Sequence, residues 1–535
     1  MKKTLLYVVS IVMLSSYMYL YGLGDMPLTD PDEPFYAQTA KEMVEANEWV
    51  TPTLFGKPQF EKPILYYWLI EISYKIFGVS EFSARFPSAV MGGLGLLGVY
   101  LLGSVLFSPV AGILSALVMS ISVMHLALSR ACVTDMTLSV FILYCLFFFI
   151  RAFRGSKTSD YILCGICAAL AVLTKGPIGL FIPGMVMALY VIPLDRWRRL
   201  RLVPIFFGIA GFLAVCLPWY IMATHVHGES FISEFFGFQN ITRFTTPEHK
   251  SGISPLYYFP VVLFGILPWT SFFISALWFS HKRDRSFFVF EGGKLFLTSW
   301  FLVVFIFFSI SSTKLVTYIF PLFAPMGLIL GRFWEKIIEG DRDYTSSPAM
   351  KWAYGILVLA GAIGIPVGFF VLKEEYPSMA VPVVGYGIML LCFMIYSFFK
   401  AVRGDMRAGF FALVGGVVVL FIPIMNMVSP IVGEYESTKS LGTLAKEYAK
   451  ENELIAGEND GRRGVAFYTD RVNVPDVHTY DDLENYLADN GRVWAIVRKK
   501  HAKEFEKIRK GKTYEIVASS GKYLLVTNQP FEAQE

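Results

Sequence analysis

Carboxylate side chains concentrate in the polar stretch 24–67, which interrupts the otherwise apolar N-terminal half of the chain. Its first acidic residues are Asp25, Asp30, Asp32 and Glu33. Near a pocket that holds little water, desolvation raises the affinity of a carboxylate for a proton, so that it can act as a general base. This stretch is therefore the first candidate for acid–base chemistry.

Local signals separate these carboxylates from one another. Asp30 and Glu33 have the spacing of a helix capping box, and Pro31 suits the first helical position, so both acids have a structural explanation. Asp32 has none, and a helix here would place it on the same face as Tyr36. We take Asp32 as the candidate base, with Glu33 beside it in the catalytic group.

The adjacent pair Glu61-Lys62 lies among aromatic and apolar residues that are typical of a helix in the membrane interface. Lys62 either extends to lipid headgroups or binds a specific phosphate. Glu61 either pairs with Lys62 or holds a metal ion.

Two more ionisable residues stand at the ends of apolar runs. Asp135 is a functional candidate because it begins such a run, and the alternative is an ion pair with Arg130. Lys175 precedes Gly176-Pro177, a helix-break signal, and its alternative role is only to mark that turn.

Membrane helices must position these groups. Of 535 residues, 55% are hydrophobic and 17% charged, which excludes an ordinary soluble chain, and the net charge of +4 is too small to indicate nucleic acid as a partner. Apolar runs of about 18–22 residues can each cross a hydrocarbon core of roughly 30 Å, and they predict about 13 spans. The spans are 4–22, 84–107, 110–127, 133–150, 159–174, 177–194, 203–222, 257–279, 293–310, 315–333, 352–372, 380–399 and 408–428.

Basic residues predict the orientation of these spans. The N-terminus resembles a signal peptide but has no evident cleavage site, so we interpret it as the first span, with Lys2 and Lys3 in the cytoplasm. The basic loops fall on the same side, at 151–157, 196–201, 282–285, 332–336 and 400–407. An odd number of spans then places the C-terminus and the loops 23–83, 223–256 and 311–314 on the outer face.

Three cations belong to that outer face, where the positive-inside rule predicts few. They are Lys62, Arg243 and Lys314. The phosphate of a lipid is the anion that we expect them to bind.

Cys164-x-x-Cys167 has the spacing of a redox or zinc pair, but it lies in a predicted span with no second pair nearby, so we predict that both cysteines only pack against their neighbours.

From about residue 429 the chain becomes polar, and its pattern predicts a small α/β domain, 429–535, after a membrane domain, 1–428. Strands are predicted at 465–469 and 493–499, helices at 481–491 and 503–511, and a closing hairpin across Ser520-Gly521.

A set of motifs occurs in a fixed order along the first 330 residues. They are Asp32-Glu33, Tyr36-Ala37, Phe60-Glu61-Lys62-Pro63, Arg85-Phe86-Pro87, Asp135, Leu173-Thr174-Lys175-Gly176, Pro218-Trp219-Tyr220, Arg243-Phe244 and Lys314-Leu315-Thr317-Tyr318-Pro321. In this order the chain resembles the bacterial GT-C glycosyltransferases akin to the aminoarabinose transferase of lipid A and, more distantly, the protein O-mannosyltransferases. That family also has about 13 spans and an outer C-terminal domain.

The resemblance implies transfer of a sugar from a polyprenyl phosphate to an acceptor at the periplasmic face of a bacterial inner membrane. Asp32 matches the catalytic carboxylate of the first loop, and Lys62 and Arg243 match the groups that hold the donor phosphate. Glu61 matches an acid that helps to bind a metal in the aminoarabinose transferase, but Phe238 and Asn240 stand where its histidine partner is expected. We predict that no cofactor is required, and a divalent metal at Glu61 stays the alternative.

The prediction is therefore a polytopic α-helical membrane protein of GT-C fold that acts as an inverting glycosyltransferase. The catalytic group is Asp32, Glu33 and Asp135, and Lys62, Arg243 and Lys314 bind the donor phosphate. The substrate pocket contains Tyr36, Tyr66, Lys175 and Tyr318. The acceptor is lipid A, a glycan or a protein. A lipid or drug transporter is the alternative, and it predicts internal repeats that the sequence does not display.

Overall fold

The structure is a computed structural model, and it describes residues 2–155, 157–194, 196–242, 254–282, 293–345, 347–478, 480–488, 491–501 and 515–531. The predicted phosphate ligand Arg243 and the predicted helix 503–511 lie outside these residues. The chain divides into two compact units. The first comprises Met1–Tyr21, Phe60–Tyr66 and Ser88–Pro423, and the second comprises Gly22–Gln59, Tyr67–Pro87 and Ile424–Glu535.

Long apolar helices dominate the described part of the chain. Ten are long and apolar enough to span a membrane, and two bent pairs bring the number of spans to as many as 12. Together with the shorter helix Ile178–Val191 they give each of the 13 predicted spans a helical counterpart. The orientation of the spans stays a prediction.

Up to residue 227, the described part of the chain contains ten α-helices of seven residues or more. They are α1 Lys2–Ser15, α2 Asp32–Ala46, α3 Leu65–Phe77, α4 Glu81–Leu106, α5 Pro109–Ser120, α6 Val123–Ser129, α7 Thr134–Gly155, α8 Thr158–Lys175, α9 Ile178–Val191 and α10 Leu202–His227. Helix α1 continues as a π-helical turn, Ser16–Leu20, and another π-helical segment, Ile232–Thr242, follows α10. Helices α5 and α6 form one bent pair, with 72° between their axes.

A second series of helices follows residue 254. They are α11 Tyr258–Gly265, α12 Thr270–Lys282, α13 Gly293–Ile310, α14 Phe323–Ile338, α15 Pro348–Glu375, α16 Pro377–Val402, α17 Met406–Glu436, α18 Lys439–Tyr448, α19 Arg462–Thr469 and α20 Tyr480–Leu487. A 3₁₀ turn, Val316–Leu322, leads into α14 and completes the span Val316–Ile338.

Small residues let the helices of the first unit approach closely, as is common in membranes. A Cβ added at Gly331 of α14 would lie 2.0 Å from Ser115 Oγ in α5, and one at Gly103 of α4 would lie 2.9 Å from the Cα of Gly112. Cys145, Cys167 and Ala168 form one apolar cluster with Cys164 against it, which agrees with the predicted packing role of the cysteines.

In the second unit, α2 is followed by a short hairpin of β1 Thr53–Leu54 and β2 Lys57–Pro58. Its turn residues Phe55 and Gly56 have φ angles of 56° and 71°, a conformation that favours glycine. The buried Glu42 accepts hydrogen bonds from both of their N–H groups, at 2.9 and 3.0 Å. A side chain of α2 therefore fixes the turn.

The end of the second unit is a four-stranded sheet in the order β3-β4-β6-β5. Its strands are β3 Ile455–Gly457, β4 Trp494–Arg498, β5 Glu515–Ser520 and β6 Tyr523–Thr527, and only the β3–β4 pair is parallel. Alternate residues of β4 and β6 enter two apolar layers, one covered by α18 and α19 and the other by α20.

The sheet confirms the predicted strand at 493–499 and the hairpin across Ser520-Gly521, and α20 confirms most of the helix predicted at 481–491. The strand predicted at 465–469 is wrong, because these residues belong to α19. Val465, Ala466, Phe467 and Thr469 of that segment are buried, so nearly the whole segment packs inside the unit. The strand β3 was not predicted.

Candidate active site

A cavity of about 490 Å³ lies in the first unit and brings four distant chain segments together. Its polar lining consists of Glu61, Lys62, Lys175, Gln239, Ser311, Thr313 and Tyr318. Its apolar lining consists of Pro177, Ile178, Phe181, Phe235, Phe236, Phe307 and Phe308. A few polar groups that converge in a mostly apolar pocket are typical of a binding site.

An ion pair stands at this cavity. Lys175 Nζ lies 2.6 Å from Asp135 Oδ1, and both side chains are nearly buried, with exposed fractions of 10% and 7%. Lys175 is in the last turn of α8 and Asp135 in the first turn of α7, so the helix dipoles favour each charge where it stands. Lys175 Nζ also lies 4.0 Å from the ring centroid of Tyr318, a cation–π contact.

The alternative in which Asp135 pairs with Arg130 is wrong. The Arg130 guanidinium donates to the backbone carbonyls of Met18 and Tyr21, at 3.2 and 2.8 Å. It therefore anchors the end of the first span, and Asp135 is paired with Lys175.

Lys62 reaches the cavity on the segment 60–66, which aromatic packing anchors. The Phe60 ring lies 5.0 Å from that of His227 at the end of α10 and 5.2 Å from that of Phe231. Lys62 is half-buried, and its ammonium donates to the Glu61 carbonyl at 3.2 Å. Because the segment is fixed, the cation is held at the cavity wall.

Lys314 lies next to the cavity, in the turn between α13 and the span Val316–Ile338. It is buried, its Nζ donates to the Ser311 carbonyl at 2.6 Å, and Ser311 and Thr313 both line the cavity. Burial lowers the pKa of the Lys314 ammonium. An anion nearby would offset that loss of hydration.

Tyr66 is not part of the cavity wall. It is fully buried, and its hydroxyl shares a hydrogen bond of 2.8 Å with Ser88 Oγ. Of the predicted pocket residues, Lys175 and Tyr318 line the cavity, and Tyr36 belongs to the second unit, where its ring packs 6.0 Å from that of Tyr67.

In the second unit, Asp32 begins α2 and is exposed. Glu33 beside it is buried in a bidentate ion pair with Arg85, with Nε–Oε1 at 2.7 Å and Nη2–Oε2 at 2.6 Å. Arg85 also donates to the Pro27 carbonyl at 2.7 Å. This geometry makes Glu33 a positioning residue that fixes the start of α2, and the helix N-terminus favours negative charge on Asp32.

The predicted capping box is wrong. Pro31 is the N-cap residue and no side chain caps α2. Asp30 is buried and accepts hydrogen bonds from Thr438 N at 3.1 Å and from the Tyr523 hydroxyl at 3.4 Å. Burial raises the pKa of the Asp30 carboxyl to about 8, against the opposing effect of Lys522. Asp30 binds tertiary partners 408 and 493 residues away along the chain instead of capping the helix.

Among the residues that the structure describes, those around Glu61 do not form a metal site. Within the described ranges, no three His, Cys, Asp or Glu side chains are grouped so that they could hold a metal ion. Glu61 and Gln239 are the carboxylate and amide groups that line the cavity. That no metal is required stays a prediction, with a divalent metal at Glu61 as its alternative.

Sequence reasoning missed part of the cavity. Phe235, Phe236 and Gln239 come from the π-helical segment after α10, and Ser311 and Thr313 from the turn before Lys314. Aromatic residues at 231, 235 and 236 repeat at helical spacing, and this repeat could have indicated that the segment packs as a helix.

Comparison with known proteins gives consistent matches. The pattern of the family described as dolichyl-phosphate-mannose-protein mannosyltransferase matches residues 61–222. The undecaprenyl phosphate-alpha-4-amino-4-deoxy-L-arabinose arabinosyl transferase of Aeromonas hydrophila is 32% identical over 64% of this chain and 63% of its own length. That of Yersinia enterocolitica is 31% identical over 69% and 64%. The chain thus spans a little under two thirds of each relative.

A crystal structure of ArnT from Cupriavidus metallidurans bound to undecaprenyl phosphate superposes with a TM-score of 0.79 over 98% of both chains, at 21% identity. The fold is therefore that of the GT-C membrane proteins, with many apolar helices and a small C-terminal sheet. Within that class, the predicted resemblance to the aminoarabinose transferases is confirmed.

Proposed function

We propose that this protein is an integral membrane glycosyltransferase that uses a polyprenyl-phosphate-linked sugar as donor. The observation that carries the proposal is the cavity in which Lys62 and Lys175 meet a wall of phenylalanine rings. A lipid phosphate carries an anionic head and an apolar chain, and this cavity offers a partner for each. The names of the similar arabinosyl transferases support the same donor class.

The reaction is a single displacement with inversion. The acceptor hydroxyl attacks the anomeric carbon while Asp32 takes its proton, and the bond from that carbon to the phosphate oxygen breaks. The bonding electrons leave with the polyprenyl phosphate. Lys62, Arg243 and Lys314 stabilise the charge of this leaving group, which is poor unless it is countered.

Several other residues of the cavity also have a part in this scheme. Lys175, oriented by Asp135, adds a second fixed cation at the wall, and Tyr318 holds its ammonium in place. The phenylalanine rings exclude water and contact the first isoprene units, which strengthens each charge interaction.

The location and the acceptor are part of the proposal. We place the reaction at the periplasmic face of a bacterial inner membrane, with lipid A, a glycan or a protein as acceptor. The transporter alternative would need two matching halves, whereas the fold found here is that of GT-C proteins.

Transfer of radiolabelled sugar from membrane polyprenyl phosphates to endogenous acceptors tests the proposal. Lys62→Met keeps the apolar stem and removes one charge-assisted contact, so donor binding should weaken about 10–100-fold. Arg403→Met, on a loop that we predict to lie in the cytoplasm, is the matched control and should bind donor normally. No transfer by the wild-type protein from any polyprenyl-phosphate sugar pool would refute the proposal.

A further inference from the structure

A second, larger cavity in the first unit has a different chemistry. Its volume is about 650 Å³, and it is lined by residues of α7–α10 and of the turn between α9 and α10. Helix α9 borders both cavities, with Ile178 and Phe181 at the first and residues from Leu180 to Val191 at the second. Since a helix rises about 1.5 Å per residue, the second cavity extends toward the opposite membrane face.

The cavity exists because small side chains leave the space open. A Cβ added at Gly165 would lie 2.0 Å from the Gly208 carbonyl oxygen, so α8 and α10 cross in contact. At Gly184, which also lines the cavity, an added Cβ would meet nothing within 4 Å. The space beside α9 is therefore large enough for a guest, and its volume is in the usual range for a ligand pocket.

The rim of the cavity is strongly basic. Trp197 and Leu200 line it, and each is followed directly by an exposed arginine, Arg198 and Arg201. The Arg198 guanidinium lies 5.6 Å from the ring centroid of Trp197. Cationic groups are thus held at the edge of an apolar chamber.

Two buried polar groups lie at this end. The Tyr161 side chain lines the cavity and is buried, and its hydroxyl contacts the backbone of Arg201. Arg196, in the same turn, is buried over the Tyr190 ring, and its Nη1 has no hydrogen-bond acceptor. A buried donor without an acceptor costs free energy, which indicates that a bound group supplies the acceptor.

We propose that this cavity is a binding site for an anionic phospholipid, separate from the donor site. One acyl chain occupies the chamber, and the phosphate lies at the rim against Arg198 and Arg201. Tyr161 donates to an oxygen of the glycerol ester region. A zwitterionic lipid fits the chamber equally well but gains less at the rim, because its ammonium offsets the phosphate.

The competing explanation is that these arginines only orient the chain in the membrane. That explanation accounts for the charge but neither for the open space at Gly184 nor for the buried Arg196 Nη1 that has no acceptor. It also predicts no preference among lipids, which makes the two explanations separable.

Native mass spectrometry of the purified full-length protein tests the site, with dioleoyl phosphatidylglycerol and dioleoyl phosphatidylcholine titrated at equal concentration. We expect one phosphatidylglycerol to be retained with a preference of about 10–30-fold. The variant Arg198→Gln/Arg201→Gln should lose the preference, whereas Arg403→Gln/Arg407→Gln, which removes two charges elsewhere, should keep it.

Gly184→Leu tests the chamber itself and should abolish retention of both lipids. Gly364→Leu is its control, since an added Cβ there also meets nothing within 4 Å and the residue is outside the cavity lining. If Gly184→Leu does not fold, Ala188→Leu at the same wall replaces it. Equal retention of the two lipids by the wild-type protein, or full retention after the chamber is filled, would overturn the proposal.

Discussion

At the residue scale, the neighbours of the proposed base distinguish it from the other acids of its loop. Asp32 stands between Asp30, which is bound to Thr438, and Glu33, which is paired with Arg85. The exposed Asp32 carboxylate is thus flanked by two buried ones. Position, more than residue type, distinguishes the three acids.

Asp32→Asn should lower turnover by roughly 10²–10⁴-fold and leave donor binding almost unchanged, because only the proton acceptor is lost. Initial rates of sugar transfer and binding of labelled donor measure the two quantities. Asp25→Asn is the control for loss of one exposed acid from the same loop. Wild-type turnover in Asp32→Asn would mean that another group takes the proton.

The Asp135–Lys175 pair is expected to behave as a unit. Asp135→Asn leaves a nearly buried ammonium without its counter-charge, so unfolding should be easier by about 3–5 kcal/mol. Asp135→Leu combined with Lys175→Met removes both charges and should recover most of that loss while donor binding stays weak. Thermal unfolding in detergent and donor binding distinguish the two effects. If the stability loss of the double variant equals the sum of the losses measured for each single variant, the two residues are not coupled.

At the element scale, α2 is fixed from both of its sides within the second unit. Lys41 on α2 donates to the Phe467 carbonyl at 3.2 Å and forms an ion pair with Asp470, while Asp30 binds the segment before α18. The first loop and the C-terminal segment therefore form one structural body. The sequence pattern had predicted that they belong to separate domains, 1–428 and 429–535.

The buried Asp30 should make stability depend on pH. Its pKa is raised to about 8 in the folded protein, while an unfolded Asp titrates near pH 3.9, so the folded state binds the extra proton. Stability contributed by this group is therefore present at low pH and is lost as pH rises from about 4 to 8. Asp30→Asn, whose amide oxygen can still accept from Thr438, should remove this loss.

Melting temperatures of the wild-type protein and Asp30→Asn, measured across this pH range, provide the check. The stability of the variant relative to wild type should increase with pH. Asp25→Asn, at an exposed position of the same loop, should show no such trend. Parallel curves for Asp30→Asn and wild type would contradict the assignment.

Sequence patterns predicted the membrane helices well because each apolar run carries its own signal. They misassigned 465–469, where a five-residue run rich in β-branched and aromatic residues looks the same in a strand and in a short helix. The partners of Asp135 and Asp30 were also missed. Lys175 is 40 residues from Asp135 and Thr438 is 408 residues from Asp30, so no local pattern connects them.

At the scale of the whole molecule, the distribution of basic loops predicts one orientation in the membrane. The basic loops predict that Ser440 lies outside the cytoplasm and Ser156 inside. A cysteine at Ser440 should react with a membrane-impermeant thiol reagent in spheroplasts, and one at Ser156 should react only after lysis. The wild-type chain gives the background from its own cysteines. The reverse pattern would place the proposed reaction in the cytoplasm.

The grouping of residues 22–59 with residues 424–535 in one unit also has a consequence for how the protein is made. The Glu33–Arg85 ion pair can form early in synthesis, once Arg85 has been added to the chain. The hydrogen bond from Thr438 to Asp30 cannot form until Thr438 has been added. At about 5–20 residues per second, the first loop stays half-assembled for roughly 20–70 s while the membrane helices are inserted. During that interval the apolar face of α2 is uncovered, so a nascent chain arrested before α18 should be a target for proteases and chaperones that the finished protein escapes.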